Sequence, residues 1–352
     1  MLRRALSLAA CLFVTASLAV EPSPAVVSVA GYRGAERMQR LVEGAKKEGE
    51  LMLYSSLTQE DQLRLAADFR KRYGVKLNFW RGSQANILQR VVTEARGGRF
   101  DFDVIETNAP QVEAIAREQL LQRLSTPLMQ EVLLPEILPA SGEWAPDRLN
   151  LLVYAFNTNA LKPEELPRDW PELATPKWNG RVGMESTNVE WFSAVVESLG
   201  EARGLDIFRR LGENGVAVRT GHTHSTGRVI AGEIPLFLGV YSHDVDRMKK
   251  KGAPIDWFVL PPAVIIPSAV AMSRRAPHPH AAALFCEYML GEGQKLYPEV
   301  DRIPANRNFD TAVRRMLREG IAVKVVDSRK AIDDYDKWLR LYKRLVVDRS
   351  QH

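Results

Sequence analysis

Short apolar runs alternate along the chain with longer segments in which apolar residues recur every three or four positions. The first pattern is typical of buried strands and the second of helices that bury one face. In the first third, strands are predicted over residues 51–54, 75–80 and 102–105, and helices over residues 38–49, 59–73, 85–95 and 110–118. Strands that alternate with helices predict βαβ units and a mainly parallel sheet.

The middle of the chain repeats this alternation. Strands are predicted over residues 151–157, 181–184, 216–219 and 236–241, and helices over residues 188–199, 204–211, 227–231 and 242–251. An extended apolar segment, residues 257–271, precedes a C-terminal part that is predicted to be helical. Because 352 residues exceed what one hydrophobic core usually supports, we expect an α/β fold with two lobes.

The N-terminal segment has the layout of a secretory signal peptide. A basic start precedes an almost uncharged apolar run over residues 5–18, and small residues at 17 and 19 fit a cleavage site. We therefore predict a signal peptide over residues 1–19, export, and a flexible lead-in over residues 20–35. The alternative is a lipid-anchored form acylated at Cys11, which the small residues before it would allow.

Composition and charge narrow the classes of function. The formal net charge is +5, and loss of the signal peptide, which has two arginines and no acid, lowers it to +3. A net charge this close to zero does not indicate a nucleic-acid partner. Cys286 is then the only cysteine, and it cannot form a disulfide within its own chain. No nucleophile elbow, phosphate-binding loop, dinucleotide fingerprint or zinc-protease motif occurs, so we predict neither an enzyme nor a cofactor.

Four predicted strand-to-helix turns carry small hydroxyl or amide residues. Helix N-termini have free N–H groups and a positive dipole end, so several of them together would bind an oxyanion. The alternative is ordinary N-capping, for which Ser, Thr and Asn are preferred in any helix. The candidate ligand-binding residues in these turns and beside them are Ser55, Ser56, Thr58, Gly82, Ser83, Ser186, Thr187, His224, Ser225, Thr226 and Tyr241.

Histidines and a tyrosine form a second group of candidates. His222 and His224 are predicted to share one face of an extended segment, and Tyr241 and His243 another. Imidazole and phenolate can bind iron, zinc or copper, but no diagnostic spacing is present, so we favour hydrogen bonding to a ligand and keep metal binding as the alternative. Arg219 and Arg228 lie on either side of the histidine turn and could contact an anion, and the alternative for each is a surface ion pair.

Further segments have the order found in one family of transport proteins. They are Glu48–Ser56, Phe102–Ile105, Pro176–Gly180, Ala231–Pro235, Lys251–Asp256, Ser273–Pro279, Gly291–Gln294, Arg302–Asn306 and Tyr335–Leu339. In these segments the chain resembles the periplasmic solute-binding proteins of ABC importers, in the iron(III)-type or family 1 branch.

The resemblance implies a type II binding fold, in which two lobes joined by hinge strands close on a solute. Residues 36–145 and 272–352 would form lobe one, and residues 146–271 would form lobe two with the hinge strands 151–157 and 264–271. The resemblance also implies a periplasmic monomer that docks on an ABC permease in the inner membrane.

The expected solute is a small anionic organic or phosphorylated compound. Ferric binders of this branch carry adjacent tyrosines, whereas Tyr241 is followed here by Ser242 and His243. We therefore predict no metal site, and the alternative is ferric iron bound by Tyr241 and His243.

Overall fold

A computed structural model describes residues 20–124 and 126–351, which form fifteen α-helices and twelve strands. The helices are α1 (Pro24–Ala30), α2 (Arg37–Glu48), α3 (Gln59–Tyr73), α4 (Gln84–Arg96), α5 (Ala109–Arg117), α6 (Leu128–Val132), α7 (Trp170–Leu173), α8 (Val189–Leu199), α9 (Glu201–Glu213), α10 (His222–Ile230), α11 (Ser242–Lys250), α12 (Pro279–Leu290), α13 (Ala312–Arg318), α14 (Ser328–Asp333) and α15 (Tyr335–Tyr342). The strands are β1 (Glu50–Ser55), β2 (Lys76–Arg81), β3 (Val104–Asn108), β4 (Leu121–Gln122), β5 (Ala145–Asn157), β6 (Val182–Glu185), β7 (Ala217–Arg219), β8 (Leu236–Tyr241), β9 (Ile255–Phe258), β10 (Ala263–Ser273), β11 (Ile303–Pro304) and β12 (Val323–Val325).

Most strands belong to one continuous path with the order β2-β1-β3-β10-β5-β8-β6-β7. β1 is parallel to β2 and β3, and β6 is parallel to β7 and β8, which confirms the predicted mainly parallel α/β arrangement in each half. The long strands β5 and β10 are antiparallel to their neighbours and join the two halves. β5 begins six residues before its predicted crossing strand, and β10 extends beyond its predicted strand at both ends.

Each half has helices on both faces of its sheet, because nearly every strand in the path is apolar on both sides. In the first half, α2, α3 and α12 cover one face, and α4 and α5 cover the other. In the second half, α8, α9 and α15 cover one face, and α10, α11 and α13 the other. Two aromatic pairs illustrate the second core: Phe192 packs edge-on against Phe208 and against Trp338, at 4.8 and 5.9 Å between ring centroids.

The C-terminal segment differs from its prediction in two respects. It is not helical throughout, since β11 pairs with β5 and β12 pairs with β10. Its last helices pack into the second half, where Trp338, Tyr342 and Leu345 join the core beside Trp191. α14 also contacts the first half, where Arg117 of α5 bonds to Asp333 and to the carbonyl of Arg329, and the lobe boundaries expected above stay a prediction.

Two N-terminal predictions and one turn also need comment. The predicted signal peptide, residues 1–19, lies outside the described residues. The expected lead-in contains α1, whose Val26 and Val29 are buried against the first half. The histidine turn is not extended: α10 begins at His222, directly after Gly221, whose φ of +98° suits glycine and ends the strand segment. Among the described residues, no helix is long and apolar enough to cross a membrane.

Candidate functional site

The carboxyl ends of the two sets of parallel strands face each other. β3 ends at Asn108, opposite Ser268 of β10, and β8 ends at Tyr241, opposite Leu152 of β5. Arg148 of β5 also lies opposite Ser268, so the two strand ends are four residues apart, or about 13 Å. The strand ends therefore bound a cleft whose floor is β5 and β10. We call the ends of β1–β3 and the helices after them the first wall, and the ends of β6–β8 and their helices the second wall.

Tyr241 spans the cleft from the second wall. Its hydroxyl accepts hydrogen bonds from Asn108 Nδ2 at 3.3 Å and Gln84 Nε2 at 3.5 Å, both on the first wall. Its ring lies beside those of His222 and His243, with centroids 4.2 and 5.3 Å away. Burial lowers the pKa of both histidines, that of His222 to about 4, so both imidazoles are neutral at pH 7.

A buried polar network forms the floor of the cleft. Asn150 Nδ2 donates to Asn108 Oδ1 at 3.1 Å and to Ser268 Oγ at 2.8 Å. Beside it, Arg148 Nη2 lies 2.8 Å from Glu106 Oε1, and neither side chain is more than 4% exposed. The charge of Glu106 in β3 is therefore neutralised by Arg148 of the floor.

Arg302 joins the two walls at one end of the cleft. Its Nε donates to Asp61 Oδ2 of α3 at 2.9 Å, and its Nη1 lies 3.2 Å from His243 Nε2 of α11. Burial raises the pKa of Asp61, but the guanidinium outweighs burial and the net pKa is lowered. His243 accepts this hydrogen bond at Nε2, which is possible only while that nitrogen is unprotonated.

The second wall contains two acids that no cation neutralises. Glu185 ends β6 and is 1% exposed; its Oε1 accepts from Thr187 Oγ1 at 3.3 Å, and its Oε2 has no hydrogen-bond partner. Glu190, in the first turn of α8, accepts from Gln111 Nε2 of the first wall at 3.3 Å. Neither acid forms an ion pair with any residue in the described part of the chain. Burial raises the pKa of both carboxyls.

The predicted hydroxyls of the first wall have local partners. Ser55 is buried, and its Oγ donates to Glu106 Oε2 at 2.6 Å. Ser56 Oγ accepts a hydrogen bond from Thr107 Oγ1 of β3 at 3.1 Å. Thr58 and Ser83 are the N-caps of α3 and α4, as the capping alternative proposed. These four side chains thus lie at the cleft-facing ends of the strands, and their contact with a solute remains a prediction.

The predicted residues of the second wall fall into two groups. Ser225 is fully buried with an unpartnered Oγ, and Thr226 bonds to the carbonyl one turn earlier in α10 at 3.0 Å. Ser186 lies 2.8 Å from a neighbouring threonine hydroxyl, whereas Thr187 and His224 are exposed. Only Ser225 therefore holds a buried hydroxyl with no protein partner.

Gly82 and the two candidate arginines have simpler environments. A Cβ at Gly82 would lie 2.6 Å from the ring of Trp80, so this turn requires glycine. Arg228 pairs with Glu233 at 2.5 Å on the surface, and Arg219 is exposed and donates to a backbone carbonyl. The arginines of the cleft are Arg148 in the floor and Arg302 at one end, and neither was among the candidates.

Several residues of the cleft were not predicted. They are Asp61, Gln84, Glu106, Asn108, Gln111, Arg148, Asn150, Glu190, Ser268 and Arg302. Asn108 could have been found, because it lies in the short turn between the predicted strand 102–105 and the predicted helix 110–118. Arg148 and Asn150 lie just before the predicted start of β5, where no apolar run marks the strand. Arg302 has no local sequence signal, because its partners lie 241 and 59 positions away.

The residues that could hold a metal are few. In residues 20–124 and 126–351, no group of three or more His, Cys, Asp or Glu side chains is arranged to bind a metal ion. In the cleft, the rings of His222 and His243 lie beside that of Tyr241.

Comparisons with known proteins agree with this architecture. A family model described as bacterial extracellular solute-binding protein matches residues 103–333. Iron uptake protein A1 of Synechocystis sp. is 31% identical over 157 residues, which cover 44% of this chain and 42% of that protein. The match thus spans about two fifths of that relative's length.

Solved structures share the fold at low identity. Iron-bound HitA from Pseudomonas aeruginosa superposes with a TM-score of 0.73 at 22% identity, covering 84% of this chain and 99% of that one. AfuA from Actinobacillus pleuropneumoniae with exogenous fructose-6-phosphate bound gives a TM-score of 0.72 at 20% identity, covering 85% and 99%. At these identities the likeness establishes the two-lobe periplasmic binding fold.

Proposed function

The chain belongs to the family of bacterial extracellular solute-binding proteins, and from this premise we propose that it captures a small anionic organic or phosphorylated solute in the cleft. In this proposal the solute lies between the two walls beside Tyr241. The protein delivers it from the periplasm to an ABC permease and does not transform it. Two observations support a role without catalysis. The family is one of binding proteins, and the sequence contains none of the catalytic motifs considered above.

The observation that carries the proposal is the convergence of helix N-termini on the cleft. Six helices, namely α3, α4, α5, α8, α10 and α11, begin at or close after the facing strand ends. Their free N–H groups and dipoles favour an oxyanion. The amides of Gln84 and Asn108 add donors on the first wall, and both are within 3.5 Å of the Tyr241 hydroxyl. A solute oxyanion could accept from the same amides.

Ferric iron is the second candidate, with Tyr241 and His243 as ligands. Its support is the name of the relative from Synechocystis sp. and the neutral state of both imidazoles beside Tyr241. A neutral imidazole is the form that binds metals. Burial raises the pKa of Tyr241, so iron would have to displace the phenolic proton.

Native mass spectrometry of the purified protein, followed by denaturation, separates the two candidates. We expect an organic anion to be released, and an added organic phosphate to raise the melting temperature. Tyr241→Phe should weaken that binding by about tenfold, because the hydrogen bonds from Gln84 and Asn108 that link the two walls are lost. A coloured complex whose mass shift matches iron, and whose colour disappears in Tyr241→Phe, would contradict the anion proposal and support the iron alternative.

A further inference from the structure

Glu190 lies in the cleft as a carboxylate without a cation. It belongs to the first turn of α8, and its one described side-chain partner is the Gln111 amide across the cleft. Gln111 belongs to α5, which begins directly after Asn108 at the end of β3, so its hydrogen bond places the Glu190 carboxylate between the two walls. A charge that is partly removed from water and unpaired is costly, so its presence needs an explanation.

Gln111 adds a second acceptor at the same place. Its Nε2 donates to Glu190 Oε1 at 3.3 Å, whereas its Oε1 is buried and has no partner. Three nearly inaccessible side chains of the second wall also hold unpartnered atoms, namely Ser225 Oγ, Glu185 Oε2 and the N–H donor Trp191 Nε1. Of the groups without a cation or a full set of partners, the Glu190 carboxylate, Gln111 Oε1 and Glu185 Oε2 can only accept hydrogen bonds. They fit a donor on the solute, and the two carboxylates favour a donor that is positively charged.

We propose that the solute carries a protonated amino group as well as its anionic group, and that Glu190 and Gln111 bind the amino group. This inference rests on the proposed capture of an anion, and it narrows the substrate class to zwitterionic compounds. The anionic group lies toward the donors of the first wall, Gln84 and Asn108. The ammonium group lies toward α8, where its N–H donors meet the Glu190 carboxylate and Gln111 Oε1.

Isothermal titration with two matched phosphates tests the inference. O-phosphoethanolamine and ethyl phosphate differ only by an amino group. We expect the wild-type protein to bind O-phosphoethanolamine about tenfold more tightly. In Glu190→Gln the ratio should fall to about one while the affinity for ethyl phosphate is retained, because only the ammonium contact is lost.

The control is Glu197→Gln, two turns further along α8, whose carboxylate pairs with Lys330 at 2.7 Å on the surface. It should keep the wild-type ratio. If Glu190→Gln does not fold, Gln111→Leu serves the same purpose and should lower the ratio severalfold.

The outcomes separate the two proposals. Binding of both phosphates by the wild-type protein without preference, or a preference that survives in Glu190→Gln, overturns the amino-group inference alone. Binding of neither phosphate overturns the proposed capture of a phosphorylated anion, and this inference with it.

Discussion

Two acidic residues on each wall of the cleft have opposite surroundings. On the first wall, Glu106 lies against Arg148 and Asp61 against Arg302, with N–O distances of 2.8 and 2.9 Å. On the second wall, Glu185 and Glu190 accept hydrogen bonds from neutral groups only, and Glu185 Oε2 accepts none. Asp244, in the first turn of α11 on the second wall, is buried and pairs with Arg247, so the lack of a cation is a property of Glu185 and Glu190 and not of every acid on that wall.

We interpret the paired acids as contributing to stability and the unpaired acids as available for contact with a solute. A buried acid that is paired with arginine contributes to a fixed structure, and removing its partner is costly. A buried acid without a cation lowers stability at neutral pH, because burial favours its protonated form. Such an acid is retained where it has a use, and in a binding cleft that use is contact with a solute. The following predictions test this division, in order of expected effect.

The largest effect is expected from Arg148→Met. Arg148 is 3% exposed and lies against Glu106, and its neighbour Asp147 is also buried, with a pKa raised to about 7 by burial and by Glu106. Without the guanidinium, Glu106 would be left as an uncompensated buried charge. We expect the free energy of unfolding in urea at pH 7 to fall by about 3–5 kcal/mol.

The matched control is Arg219→Met on the second wall. Arg219 is exposed and donates to the carbonyl of Val218. Its replacement should change the free energy of unfolding by about 0.5 kcal/mol or less. Equal effects of the two substitutions would mean that the arginine of the floor does not stabilise the first wall.

A smaller effect is expected from Arg302→Gln, which breaks the link between Asp61 and His243. We expect a loss of about 2–3 kcal/mol at pH 7, and Asp61→Asn in the same chain should restore part of it, because the unpaired charge is then removed. Since Arg302 holds the pKa of Asp61 below its ordinary value, this stability is present above pH 4. It is lost as the pH falls through the folded-state pKa.

Urea unfolding of the wild type, Arg302→Gln, Asp61→Asn and the double variant, from pH 7 to pH 3, measures the coupling energy between Arg302 and Asp61. A coupling energy near zero at pH 7, or a difference that does not shrink in acid, would contradict the paired role of Asp61.

The sequence pattern was sufficient for the alternation of strands and helices, for the crossing strands, and for the turns at which the cleft forms. It was not sufficient for the side chains that build the cleft. The hydroxyls of Thr58 and Ser83 cap helices, a role that the same residue types serve at any helix start, so the sequence alone does not distinguish a cap from a solute contact. The pair of Asp61 and Arg302 depends on how β11 returns to β5, which local periodicity does not encode.

The smallest effect has the opposite sign and is expected from Glu185→Gln. Because burial raises the pKa of Glu185, its ionised form is disfavoured in the folded protein, and at pH 7 the carboxylate lowers stability. An amide of the same shape keeps the hydrogen bond from Thr187 and carries no charge, so we expect stabilisation by about 1 kcal/mol at pH 7. The gain should vanish as the pH falls below about 4.3, where the glutamate is protonated in both folded and unfolded states. Thermal unfolding of Glu185→Gln and wild type at pH 7 and pH 4 measures it. A loss of stability at pH 7 would show that Glu185 is paired in the folded protein, and that the paired and unpaired acids do not differ as their contacts indicate.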